Sequence, residues 1–332
     1  MLKTFRRCPK QTQYKYVERL QPKTASKPLT EGTWMHKLLE VDAKGEEWRD
    51  THKQLSYQFS NLFDEEKQEL GNLPVTMARM MRSYKWHYAH DPWKVLEVEF
   101  VVETEFPDGS IYRGRIDKLV EDQYGLWIVD HKFNARMPDL SFRLLDSASA
   151  LYIWAARRMG IPVQGHIWDY VRRKAPTVPQ LLKDGSRLSR KKIDTDYPTM
   201  VRAIKRHGLD PDDYADQLAY LKKLQYRHGE PQFSPFFKRQ VMEKDPGMLK
   251  QVAREAFHTA KRMNSYDFER VEFVERVPDR SCGWMCAYSD ICSLELFGGD
   301  PRSIRAQRFK TTDPLYYYYD DPPDERRDNG SS

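Results

Sequence analysis

No apolar run in this chain approaches the length of a membrane-spanning helix, and its opening residues, MLKTFRRCPK, lack the apolar core of a secretory signal. The expected compartment is a reducing cytoplasm. Cysteine is scarce, with four in 332 residues, and the fold does not need disulfide staples. A chain of this length buries one large core or two modest ones without such staples. Net charge is small as well: +6 points only weakly to a polyanionic partner. No internal repeat is present. What the chain does contain is ordinary for a soluble globular protein, since 39% hydrophobic and 31% charged residues exclude a disordered or membrane class.

The basic residues are unevenly placed. They cluster in RRKAP (Arg172 to Pro176), RLSRKK (Arg187 to Lys192) and AIKRH (Ala203 to His207), while the last residues, YYYYDDPPDERRDNGSS, mix both signs and read as a flexible tail. Solvated loops explain the basic stretches as well as a phosphate-binding surface does.

Periodicity sets the order of elements. Trp48, Leu55, Phe59, Leu62 and Phe63 recur at helical spacing within Glu46 to Ala89, and a second helix is expected after Pro74. Strand-like runs follow at Val95 to Phe106, Ile111 to Glu121 and Leu126 to Phe133, separated by the turn formers PDG and DQYG. Asp139 is placed to cap a helix running to about Met159, which Gly160 and Pro162 end, and Val163 to Val171 reads as another strand. The order αβββαβ makes this an α/β protein. Beyond Arg172 the chain is loop-rich, with helical patterns at Pro211 to Tyr226, where Asp210 can cap, and at Gly247 to Met263.

One hairpin, GRIDKLVEDQYGLWIVDHKF, puts aspartate at two otherwise core-like positions. A four-residue turn from Asp122 to Gly125 pairs residues whose numbers sum to 247, so Asp117 faces Asp130. Opposed side chains have Cβ atoms about 4.5–5.5 Å apart, where like charges repel. Period two sets Ile128, Asp130 and Lys132 on one face of the second strand, with Trp127, Val129 and Phe133 on the other, expected buried side. Arg113, Arg115 and Asp117 share the polar face. Converging carboxylates suit a hard divalent cation such as Mg²⁺ or Mn²⁺, and a neighbouring lysine suits phosphate charge. The same spacing also fits a surface ion pair between Lys132 and either aspartate. Upstream, Glu97, Glu99, Glu103 and Glu105 alternate with apolar residues as a solvated strand face would, with Glu99 an outlying candidate ligand.

GRID followed by IVDHK resembles motifs II and III of the PD-(D/E)XK nuclease superfamily, whose core has the αβββαβ order. The resemblance implies a restriction-endonuclease-like core in which Asp117 and Asp130 ligate metal, the carbonyl of His131 adds to the coordination, and Lys132 is catalytic. GTWMHKLLE resembles the helix that gives the RecB-like branch, including the CRISPR-associated iron-sulfur exonucleases, its metal-binding histidine, here His36. Read without the resemblance, a lone helical histidine is more often structural than a metal ligand. Imidazole in the ligand set favours manganese tolerance. The family's Gln-x-x-x-Tyr becomes ASALY: Tyr152 remains to support the lysine or a phosphate, and Ala148 replaces the glutamine.

The cysteines form C-x3-C-x5-C at Cys282, Cys286 and Cys292, with Cys8 near the other terminus. Four thiolates fit a structural Zn²⁺ or a [4Fe-4S] cluster, and unpaired buried cysteines remain a third reading. The family clips its two ends together through cysteines in this order, which implies iron-sulfur, although it usually shows C-x2-C-x5-C. The expected organisation is an N-terminal segment with the first cysteine and the histidine (1–45), a helical insertion (46–92), the nuclease core (93–172), a basic region resembling an insertion in bacteriophage relatives (173–265), a cluster-binding segment (266–300) and the tail (301–332). The resemblance implies a metal-dependent DNA nuclease, foremost an exonuclease on single strands or duplex ends in recombination, repair or phage DNA metabolism. It would contact DNA mainly through the phosphate backbone, without a membrane. The alternatives are a structure- or sequence-specific endonuclease and a non-catalytic nucleic-acid-binding protein with a structural metal.

Overall fold

The computed structural model describes residues 1–137, 141–189, 191–270 and 273–315. The chain starts with α1 (Leu2–Arg7), α2 (Pro9–Thr12), a π-helical turn (Gln13–Val17) and β1 (Leu20–Pro22). Four helices follow, α3 (Lys27–Ala43), α4 (Trp48–Ser60), α5 (Asp64–Leu70) and α6 (Leu73–His87). Then come β2 (Lys94–Glu105), β3 (Ile111–Asp122), β4 (Gly125–Asn134), α7 (Ser141–Leu144), α8 (Ser147–Arg158) and β5 (Val163–Arg172). After them lie α9 (Tyr197–Arg206), a 3-10 turn (Pro211–Tyr214), α10 (Ala215–Lys223), β6 (Phe237–Glu243) and α11 (Pro246–Asn264). Helices α12 (Cys282–Met285), α13 (Ser289–Leu296) and α14 (Arg302–Arg308) lead to β7 (Phe309–Thr311). Among the described residues no helix is long and apolar enough to cross a membrane.

The chain forms two compact units, one of Ser26–Phe100 and Ile116–Lys244, the other of Met1–Ala25, Val101–Arg115 and the described residues from Asp245 onward. A five-stranded mixed sheet runs in the order β2-β3-β4-β5-β6, and the first unit holds β4, β5 and β6 entire with Lys94–Phe100 of β2 and Ile116–Asp122 of β3. The β3–β4 turn follows the expected register, from Asp122 opposite Gly125 to Lys118 opposite Val129. Asp122 Oδ1 fixes that turn by accepting from the Tyr124 amide at 2.8 Å and from Trp127 Nε1 at 2.9 Å, and Gly125 supplies a φ of 125°. Strand β5 runs parallel to β4, with α8 as the crossover, and β6 is antiparallel to β5. Gly165 permits that last pairing: a Cβ there would lie 2.5 Å from the Met242 carbonyl oxygen.

The stripe Met77, Met80, Met81 and Tyr84 buries one face of α6 against α3, α4, Val171 and Phe237. Three sequence readings need correction here. The helical pattern from Glu46 breaks into α4, α5 and α6, and Phe63 starts α5 at 79% exposure instead of joining the core. Both faces of β4 are buried, Ile128 and Val129 each at 0% exposure, because β4 is the middle strand of the sheet. Asp139 lies outside the described residues, and α8 is capped by Asp146, whose carboxylate accepts from the Ser149 amide at 2.9 Å. Asp210 does cap the 3-10 turn before α10.

In the second unit, β1 pairs with β7, and Arg6 Nε donates to Thr259 Oγ1 of α11 at 2.8 Å. Tyr14 and Arg305 both donate to Glu295, at 2.6 Å each, and Arg305 also pairs with Glu18. These bonds give residues 301–315, expected as the start of a tail, a defined place in α14 and β7, while residues 316–332 lie outside the described part.

Candidate active site

Beyond the Lys118–Val129 rung, β3 and β4 bring Asp117 and Asp130 together on one face. The His131 amide donates to Asp117 Oδ2 at 2.5 Å, which ties the two strands through the first carboxylate. Helix α3 packs against β4 and sets His36 Nδ1 3.6 Å from the same oxygen. Lys132, two residues beyond Asp130 and hence on the same face, contacts Asp130 Oδ2 and stands 5.0 Å over the Trp168 ring. The hairpin, the histidine and the lysine read from sequence thus lie together in the first unit.

Electrostatics describe a site short of positive charge. Burial, and after it the charge of Asp130, pushes the Asp117 carboxyl up to about 7. Burial also opposes ionisation of Asp130, but Lys132 holds it below the usual carboxylate range. Burial depresses His36, which leaves its imidazole neutral at pH 7 and able to ligate metal. A largely covered carboxylate pair in which one member keeps its proton near neutrality fits a divalent cation, which would remove the repulsion. Among the described residues no group of three or more His, Cys, Asp or Glu side chains is already assembled around a metal-sized centre.

Tyr152 of α8 stacks on His166 of β5, with centroids 6.3 Å apart and planes 18° apart, and the His166 ring lies 4.3 Å from Trp168. Tyr152 is therefore linked to Lys132 through two rings. Glu99 has a φ of 55°, a left-handed conformation inside a strand that breaks the alternation of its glutamates. Its charge acts on His36. Glu103 is paired instead with Arg113, at 2.5 Å.

Sequence reading missed the charged layer beneath the site. His131 Nδ1 lies 3.1 Å from Asp169 Oδ2, and the Tyr84 hydroxyl donates to that oxygen at 2.5 Å. Arg239 Nε is 3.7 Å from Asp169 Oδ1, and Arg239 Nη2 donates to Asp91 at 2.7 Å. Asp169 is fully buried and, despite that burial, Arg239 holds its carboxyl well below the usual range. The available signal was one aspartate inside the apolar run HIWDYV.

In the second unit all four cysteines are free and partly buried. Cys286 and Cys292 pack against Tyr14, Tyr288 and Phe309. Arg7, next to Cys8, donates to Ser281, next to Cys282, at 2.6 Å. Burial, then Cys282 and Cys292, raises the Cys286 thiol, as expected where thiols crowd together.

Residues 1–293 match the family model of the PD-(D/E)XK nuclease superfamily. Among solved structures, a candidate exonuclease from Eubacterium rectale is similar at 10% identity and a TM-score of 0.37, over 80% of this chain and 82% of that one. The structure of SSO0001 is similar at 10% identity and a TM-score of 0.28, over 74% of this chain and 79% of that one. No curated protein matches the chain.

Proposed function

Because the chain belongs to the PD-(D/E)XK nuclease superfamily, we propose that it hydrolyses DNA phosphodiester bonds with a divalent cation held by Asp117, Asp130, His36 and the carbonyl of His131. The observation that carries this reading is the meeting of a buried carboxylate, Asp130, and a half-buried one, Asp117, from adjacent strands beside an ammonium group. A bound Mg²⁺ or Mn²⁺ supplies Lewis-acid polarisation of the phosphate and activation of the attacking water. The chain does the rest. Lys132 stabilises charge gathering on the phosphate oxygens. Asp130 and the Trp168 ring orient that ammonium group, and the His131 amide orients Asp117. Tyr152, through His166, keeps the lysine side of the site packed where the family's glutamine is absent.

Exonuclease action on single strands or duplex ends, within a RecB-like iron-sulfur branch that includes phage members, is the narrower form of the proposal. The order of the four cysteines supports it. End-labelled linear DNA and closed circular DNA, each incubated with Mg²⁺, Mn²⁺ or EDTA, test it: loss of label from linear DNA only, abolished by EDTA, is expected. Rapid cutting of the circle would favour an endonuclease.

Two further outcomes follow. Asp117 must lose its proton to ligate, so below pH 7 Mn²⁺ affinity should fall about tenfold per pH unit, with close to one proton released on binding near pH 6. Calorimetry in buffers of differing ionisation enthalpy measures that release, and a proton-neutral binding event would count against the Asp117 assignment. For the cysteines, the purified protein should be brown, and Cys286→Ser should remove the colour and lower the melting temperature. A colourless parent that binds one Zn²⁺ would replace the cluster with zinc.

A further inference from the structure

Helix α6 has two working faces. Tyr84 points to Asp169 beneath the candidate site, while Arg79, Arg82 and Trp86 stand about 160–220° around the helix from it. That far face meets α9, where Arg202 and Arg206 lie one turn apart and exposed. Ser83 bonds the buried Asp196 at the start of α9, which fastens the two helices together. Trp86 and Tyr197 stack across the joint with centroids 5.5 Å apart and planes 11° apart.

The four arginines form no ion pair among the described residues. Arg79 donates to the Pro176 carbonyl and Arg202 to the Pro198 carbonyl, both neutral acceptors. Arg82 Nε is buried without an acceptor, a donor whose desolvation is uncompensated. After burial, it is Arg202 that most depresses both Arg79 and Arg82, so the guanidinium groups press on one another, with Asp196 the opposing charge beside Arg79. Gathering like charges from two separate helices costs stability, and a polyanion relieves that cost.

We propose that this face of α6 and α9 is a single-strand DNA track, in which Arg79, Arg82, Arg202 and Arg206 hold successive phosphates and the Trp86–Tyr197 pair supports a base. Guanidinium groups bind phosphate in bidentate fashion. Basic grooves with aromatic platforms bind single strands with little sequence preference. The track lies one helix diameter, about 10–12 Å, from the layer that supports the site. It would hold the strand outside the cleavage point. The assignment rests on the DNA-nuclease reading and adds where the strand lies.

The test uses the full chain in EDTA, so that nothing is cut, and the anisotropy of a fluorescein-labelled thymidine strand of about 20 nucleotides, longer than one binding site. Titrations across about 50–200 mM NaCl give the salt slope. In Arg202→Gln/Arg206→Gln, both exposed and safe for folding, the slope should flatten by about 1.4, from about 0.7 per lost phosphate contact. Affinity at low salt should fall at least about tenfold. Trp86→Leu should lose roughly tenfold in affinity with the slope unchanged, which separates stacking from charge. If Trp86→Leu melts early, the double arginine variant decides alone. A parent that binds DNA in EDTA and cuts it once Mg²⁺ or Mn²⁺ replaces the EDTA, with the double variant matching it in affinity and slope, overturns the track while leaving the nuclease reading intact. A parent that neither binds nor cuts removes the nuclease reading and the track with it. Loss confined to a blunt duplex, with single-strand binding unchanged, also overturns the assignment.

Discussion

Lys132→Ala should lower the cleavage rate by at least about 10²–10³-fold, the range for removing one preorganised electrostatic stabiliser, while DNA affinity changes little. The asymmetry follows from where Lys132 sits. It is a single ammonium group, about one-third exposed, pinned by Asp130 and the Trp168 ring. It contributes one charge to a polyanion that many arginines and lysines can bind, but it is the cation nearest the carboxylate pair. Lys132→Arg should not restore the rate, because a planar guanidinium cannot occupy the compact position of an ammonium group. Single-turnover cleavage of end-labelled DNA, read beside anisotropy, separates the two effects. Equal losses in binding and rate would make Lys132 a phosphate contact only, and an unimpaired rate would remove it from the chemistry.

Asp169→Asn should lower stability by about 3 kcal/mol, the lower end for an interior ion pair broken on one side. The lower end applies because Asp91 still accepts from Arg239 Nη2 at 2.7 Å. The pH dependence carries a signature. Arg239 and His131 hold the Asp169 carboxyl below its unfolded value despite full burial. A carboxyl depressed in the folded state contributes stability that is fully present above its unfolded pKa and disappears as pH falls through the folded value. The parent should therefore lose stability in acid more steeply than Asp169→Asn. Urea unfolding at several pH values measures both, and a loss below about 1 kcal/mol would mean the pair is not formed.

The hairpin was legible because two short-range signals agree there. The DQYG turn fixes the register, which holds from Asp122 opposite Gly125 to Lys118 opposite Val129, and the same register carried one rung further sets Asp117 toward Asp130. The α/β class and the αβββαβ order came from the same agreement, and the superfamily suggested by GRID and IVDHK is the one whose family model covers residues 1–293. Strand β6 was not read, because Arg239 sits at 5% exposure where the alternation calls for an apolar residue. Its partners, Asp91 and Asp169, are 148 and 70 residues away in sequence, and no local pattern can announce such a pairing. Glu99 was placed by alternation on a solvated face, yet its φ of 55° breaks the period that the placement assumed. Tyr152 was expected to support the lysine or a phosphate, and its ring stacks on His166, a residue sequence reading passed over.

A Mn²⁺-soaked crystal, with anomalous differences recorded at the manganese edge, probes the carboxylate pair directly. One peak should appear within ligand distance, about 2.0–2.4 Å, of both the Asp117 and Asp130 carboxylates. The Lys132 ammonium group should lie beside it. A peak elsewhere, or the two carboxyl groups turned to opposite sides of the sheet, would contradict the proposed site.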